Sequence, residues 1–266
     1  MTTAARPRRF EPSEPLLLAI ETAGSGCSAA ILRGSETLAA EDRPLRHGHA
    51  EVLLPMVDRV ARAAGIEPGE LASVAAAIGP GGFTGIRAGL AAAHGIALAT
   101  AGRLVGVTSF AAVAAAARIR GSGRRSGQTA TTDNAPRLLI ALDSRRADFY
   151  IQLFADDHAT PLAEPASIPP SGLQSYISAL IGGSASLVIA GDMAESAADA
   201  LGTERPVDLV PGSAPDALGV AAAALFGLRS GAAPGVTANG PVRPFYLRAP
   251  DVTPPPAKIS APVAGL

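Results

Sequence analysis

The chain has 266 residues, 48% of them hydrophobic and 17% charged, with a formal net charge of -1. That length holds one large domain or two modest ones, and the apolar content excludes wholesale disorder. A near-neutral balance gives no global pull toward nucleic acid or anionic membrane, and a single cysteine excludes an internal disulfide and a multi-cysteine zinc site.

The segment from Met1 to Pro15 carries Arg6, Arg8 and Arg9 without an apolar core behind them, so it reads as a disordered extension rather than a secretory leader. No uninterrupted apolar run is long enough for a membrane span, and the expected location is cytoplasmic. Leu16 to Ile20 is a short continuous apolar run, the pattern of a buried strand. Glu21 to Gly26 turns the chain, Cys27 to Leu32 returns, Gly34-Ser35 turns again, and Glu36 to Asp42 makes a third strand. This opening is an antiparallel meander. Cys27, inside an apolar run, is expected as a small core residue.

A helix follows from Ala50 to Ala64. Leu53, Val57, Val60 and Ala64 share one face at helical spacing, and Gly65 is its C-cap. Ala72 to Ile78 is a buried strand, and Gly85 to Thr100 is a second helix. Between them lies Gly79-Pro80-Gly81-Gly82-Phe83-Thr84-Gly85-Ile86-Arg87. Such a loop either presents N–H groups to an anion at a helix N-terminus or lets the backbone pack very close to something else. It lacks the lysine of a P-loop, and Thr84 stands where Gly-x-Gly-x-x-Gly needs its last glycine. Gly85, Gly89, Ala93 and Ala97 form a bare stripe along the helix behind it, and each interior glycine there costs about 1 kcal/mol relative to alanine. The stripe packs either on the sheet of its own domain or on another subunit. Together these features favour the close-packing turn.

Leu104 to Val107 is a strand, and Ser109 is placed to cap a helix reaching Arg118. Residues 121–136 have no apolar period and read as a flexible insertion. The second half restarts the pattern with a strand at Leu138 to Leu142, a turn at Asp143-Ser144-Arg145-Arg146, and a return strand at Ala147 to Phe154 with Phe149, Ile151 and Leu153 on one side. A helix from Ser171 to Ile181, a strand from Leu187 to Ala190, and helices at Ala194 to Leu201 and Ala217 to Leu228 complete it. The repeated opening predicts two related α/β lobes: 16–108 with about 212–230, and 109–211, followed by a tail over 231–266.

The chemistry of an enzyme is thin. Where a two-lobed fold would hold nucleotide phosphates between its hairpin turns, both turns are poor cradles. Glu21 leads the first, and two arginines crowd the second. His47 and His49 are two apart, whereas a helical metal pair needs four; His94 and His158 are isolated, so no metal site is expected. His49 is expected to bond locally at the helix start. Ser109, Thr84 and Cys27 have no neighbouring base.

Several of these segments together resemble the TsaB (YeaZ) family. They are Leu18-Ala19-Ile20-Glu21-Thr22-Ala23, His49-Ala50-Glu51-Val52-Leu53-Leu54-Pro55-Met56, Gly79 to Arg87, Leu104 to Ser109, Asp143-Ser144-Arg145-Arg146 and Tyr246-Leu247-Arg248. They occur in the right order along nearly the whole chain. The resemblance implies an α/β, actin-like (sugar kinase/Hsp70-type) two-lobed fold. It also implies a non-catalytic subunit, without cofactor or metal, in the synthesis of threonylcarbamoyladenosine in tRNA. Such a subunit pairs with TsaD, which transfers the threonylcarbamoyl group, or with a second copy of itself. It helps recruit the ATPase TsaE, and meets tRNA indirectly through the complex.

By the same resemblance the two helices form the interface, with His49, Leu53, Met56, Val57, Val60, Gly82, Thr84, Arg87, Gly89 and Ala93 on it. The family usually has Asp at the position of Glu21, and the insertion at 121–136 and both tails fall outside its pattern. The alternative reading is an ATP-binding kinase or ATPase of the same fold. A third, a metallopeptidase, would need a metal that the histidine spacing does not serve.

Overall fold

The computed structural model describes residues 14–248 except 46, 122–135, 156, 158, 184, 204 and 232. The expected flexible insertion and the outer parts of both tails therefore lie outside the described residues. Strand β1 (Leu16–Glu21) is buried at every position, as its unbroken apolar run requires. Burying each leucine or isoleucine contributes about 1.5–3 kcal/mol, which makes this strand the centre of its sheet. Strands β2 (Gly26–Arg33) and β3 (Glu36–Pro44) continue antiparallel. Helix α1 (His49–Ala64) crosses to β4 (Leu71–Gly79), parallel to β1. Helix α2 (Phe83–Thr100) crosses to β5 (Arg103–Thr108), parallel to β4, and α3 (Ser109–Gly121) follows.

The second half repeats the plan. Strands β6 (Arg137–Asp143), β7 (Phe149–Phe154) and β8 (Ala166–Ile168) form the meander. Helix α4 (Pro170–Ile181), strand β9 (Leu187–Ala190), helix α5 (Ala194–Leu201), strand β10 (Val207–Leu209) and helix α6 (Ala217–Ser230) complete it. A last two-residue strand, β11 (Val236–Thr237), pairs with the edge of β5.

The sheets run β11-β5-β4-β1-β2-β3 and β10-β9-β6-β7-β8. Each half is therefore βββαβαβα with its first strand central and its third at the edge. This is the duplicated, two-lobed actin-like architecture. Three apolar clusters hold it: one around β1 and β4, one around β6 and α4, and one between the halves. Helix α3 serves two of them. Its Ala111, Ala112 and Ala115 pack in the first cluster, while Phe110, Val113 and Ala117 pack against Leu138 and Ile140 of β6.

Most boundaries fall within two residues of expectation. Gly65 caps α1 in the left-handed conformation, donating to the carbonyls of Ala61 and Arg62. At α3 the expected cap is displaced by one residue. The hydroxyl of Thr108 accepts the N–H of Ala111 at 3.1 Å, and Ser109 is buried with its Oγ lacking a hydrogen-bond partner. The stretch after 231 is more than a tail: Val242 is buried, and the N–H of Phe245 donates to the Ile78 carbonyl at 2.8 Å.

Candidate functional site

The glycine loop sits where β4 hands over to α2, directly against the first hairpin turn. Gly79 has φ 104°, and a Cβ there would come 2.6 Å from the carbonyl oxygen of Phe245. A Cβ on Gly81 would overlap the Ala23 carbonyl, and one on Gly85 would overlap that of Thr22. The N–H of Gly82 donates to the Ala23 carbonyl at 2.7 Å, and the Thr22 hydroxyl donates to the Gly85 carbonyl at 2.8 Å. The loop is thus a close-packing turn, and one of its N–H groups is already used.

The first hairpin turn is also occupied from within. The fully buried Glu21 carboxyl accepts the N–H groups of Ala23 at 2.7 Å and Gly24 at 2.9 Å. A phosphate lying on this turn would need those donors. Burial, opposed by these two hydrogen bonds, pushes the Glu21 carboxyl up to about 8. Across the cleft, Arg145 takes a left-handed conformation at φ 61°. Its N–H donates to the Asp143 carboxylate at 2.7 Å, and its guanidinium donates to the Gly24 carbonyl at 2.8 Å. A protein cation therefore links the two turns. Asp192 accepts the Asp143 N–H at 3.0 Å, and burial raises its carboxyl.

Among the described residues no group of three His, Cys, Asp or Glu side chains is arranged to hold a metal ion. His49 opens α1, but its bonding is not local: its ring meets the backbone of Gly26, and Nε2 has no hydrogen-bond partner. Cys27 is buried as expected, its thiol pushed up to about 11 chiefly by burial.

The expected interface residues divide sharply. Leu53, Met56, Val60, Gly89 and Ala93 are buried within their own lobe, as is His49. Val57 and Gly82 are half-buried, and only Thr84 and Arg87 are exposed. The reason lies under the stripe: a Cβ on Gly89 would overlap the Thr22 hydroxyl oxygen. The bare stripe lets α2 sit on Thr22 and the end of β1, so Gly89 is accounted for by packing within the lobe.

Helix α2 is apolar on its other face too, and that face is left open. Ala88, Ala91, Ala92, Gly95, Ile96 and Ala99 line an open groove of about 490 Å³ with Ala50, Leu53 and Leu54 of α1. Beside it Leu98 is 85% exposed, and Leu54 is 54% exposed. Nothing lies within 4 Å of a Cβ built on Gly95, so packing inside the chain does not explain that glycine. No helix among the described residues is long and apolar enough to cross a membrane.

Residues 44–169 match the family described as "TsaD: tRNA N6-adenosine threonylcarbamoyltransferase". The chain is 31% identical over 134 residues to "tRNA threonylcarbamoyladenosine biosynthesis protein TsaB" of Escherichia coli, covering 50% of this chain and 52% of that one. It thus spans about half the length of that relative. It is 28% identical over 242 residues to an uncharacterized protein of Mycobacterium tuberculosis, covering 90% and 94% of the two chains. Among solved structures, YeaZ from Pseudomonas aeruginosa superposes with a TM-score of 0.65 at 25% identity, covering 82% of this chain and 94% of that one. In the segments from Leu18 to Arg248 and in its fold, the chain is similar to proteins of the TsaB (YeaZ) family.

Proposed function

We propose that this chain is a non-catalytic docking subunit in the biosynthesis of threonylcarbamoyladenosine in tRNA. It pairs with TsaD through the α1–α2 face and helps recruit TsaE, so that TsaD transfers the threonylcarbamoyl group. The observation that carries the reading is the apolar groove of about 490 Å³ between the two helices, with Leu54 and Leu98 exposed at its side. Contiguous apolar surface rimmed by polar residues marks protein interaction sites, and alanine and glycine on α2 allow a partner helix to approach closely. The two hairpin turns support the non-catalytic half of the proposal, because Glu21 and Arg145 occupy the donors and the space that nucleotide phosphates would need.

The test is reconstitution of tRNA modification with TsaD and TsaE of the same organism, with and without this chain, and with Leu98→Glu. The reading predicts that modification depends on the chain and falls at least tenfold with the variant. Modification that proceeds equally without the chain would overturn it, as would Mg-ATP turnover by the isolated chain.

A further inference from the structure

A second concavity lies at the other end of α2, outside the groove. It has a volume of about 600 Å³, within the range of small-ligand sites, and three distant segments build it. The glycine loop and α2 contribute Gly82, Phe83 and Arg87. The second hairpin turn contributes Arg145 and Arg146, and the segment near 246 contributes Tyr246 and Arg248. Four arginines line it and no acidic side chain does. Two of the arginines are answered by carboxylates that are not part of the lining, Arg145 by Asp143 at 3.4 Å and Arg248 by Asp148.

The aromatic part of the wall is ordered around Arg87. Its guanidinium lies 3.8 Å from the centroid of Phe83, and its Nε–H donates to the Tyr246 hydroxyl at 3.2 Å. The Phe83 and Tyr246 rings are 5.1 Å apart. Tyr150 and Phe245 complete the lining. Guanidinium forks match the planar oxygens of phosphate, and aromatic faces suit a flat ring.

We infer that this cavity binds a nucleoside phosphate, with the phosphate on the arginines of the two lobes and the base against Phe83 and Tyr246. The nucleotide is either free or one unit of a single-stranded RNA. The phosphate is held by side chains beside the glycine loop rather than by the N–H groups of the hairpin turns, so the site requires neither magnesium nor hydrolysis. Arg145 joins the two lobes at the wall of the cavity through the Gly24 carbonyl, which places the ligand against both halves of the fold. The inference rests on the cavity alone and not on the pairing with TsaD.

The experiment is calorimetric titration of the full-length chain, without magnesium, with AMP, with inorganic phosphate and with a single-stranded RNA octamer. Arg87→Ala, Arg146→Ala and Tyr246→Ala are compared with Arg62→Ala on the far surface of α1 and with Leu98→Glu in the groove, after thermal melting of each. The expected result is saturable binding of AMP or of the RNA, weakened at least tenfold by the three cavity variants and unchanged by the other two. Binding of AMP assigns a free nucleotide, and binding of the octamer without AMP assigns a unit of a strand. Failure of both to bind the wild-type chain overturns the inference. So does phosphate binding as tightly as AMP, or affinity that all three cavity variants leave unchanged. Because Leu98→Glu spares this site, loss of docking and loss of ligand are read separately.

Discussion

At the residue scale, Glu21 shows how a single side chain changes what a turn can do. Its carboxyl satisfies two N–H groups at once, and it does so fully buried. Its folded value of about 8 lies above the ordinary 4.5, so the folded chain holds a proton that the unfolded chain releases. Stability should therefore be greatest below about pH 4.5 as far as this group is concerned, fall as pH rises toward 8, and level off above it. Glu21→Gln keeps an acceptor for both N–H groups and removes the titration. Its melting temperature should vary less between pH 5 and pH 8 than that of the wild type, and an identical pH profile would contradict the assignment.

The glycines of α2 give an equally sharp contrast. Gly89→Leu drives a side chain into Thr22, and overpacking of this kind costs about 1–3 kcal/mol, more where backbone must shift. Thermal melting should show a clear loss of stability. Gly95→Ala meets nothing within 4 Å and should gain about 1 kcal/mol from helix propensity. That gain raises the melting temperature by a few degrees; a fall would mean that the surface around Gly95 is not open in the monomer.

At the scale of elements, the legible parts were those with strong periodicity or punctuation. The run Leu16 to Ile20, the stripe on α1 and its Gly65 cap all match the structure. The strands β8, β10 and β11 have two or three residues each and half-buried or exposed side chains. Such segments carry no alternation long enough to read, and only their partners define them. The small-residue stripe was visible, but its direction was not. Both faces of α2 are apolar, and sequence spacing alone does not say which one meets Thr22. The arginine cavity was illegible for a different reason: residues from 80 to 248 meet only after both lobes have formed. Its one local sign was the pair Arg145-Arg146 where a phosphate-binding turn would carry small residues.

At the scale of the whole molecule, duplication explains why two hairpin turns face each other and why α3, which meets both sheets, is joined by α6 on the first. Gly219 lets α6 approach α3, since a Cβ there would come 2.7 Å from the Ala112 carbonyl. A large residue at Gly219 should loosen the two halves together rather than one lobe alone, visible as a single cooperative transition at lower temperature. Arg145 ties the two lobes through the Gly24 carbonyl, while the outer face of α1 and α2 stays uncovered. The proposed docking accordingly uses the helices and not the cleft.

The central claim is tested most directly by the affinity of this chain for TsaD of the same organism, measured by titration calorimetry for the wild type and for Leu98→Glu. Leu98 is 85% exposed, so the substitution leaves the monomer's core untouched. The account predicts that the variant melts like the wild type and binds TsaD at least tenfold more weakly, about 1.4 kcal/mol. Equal affinity in a folded variant would contradict it.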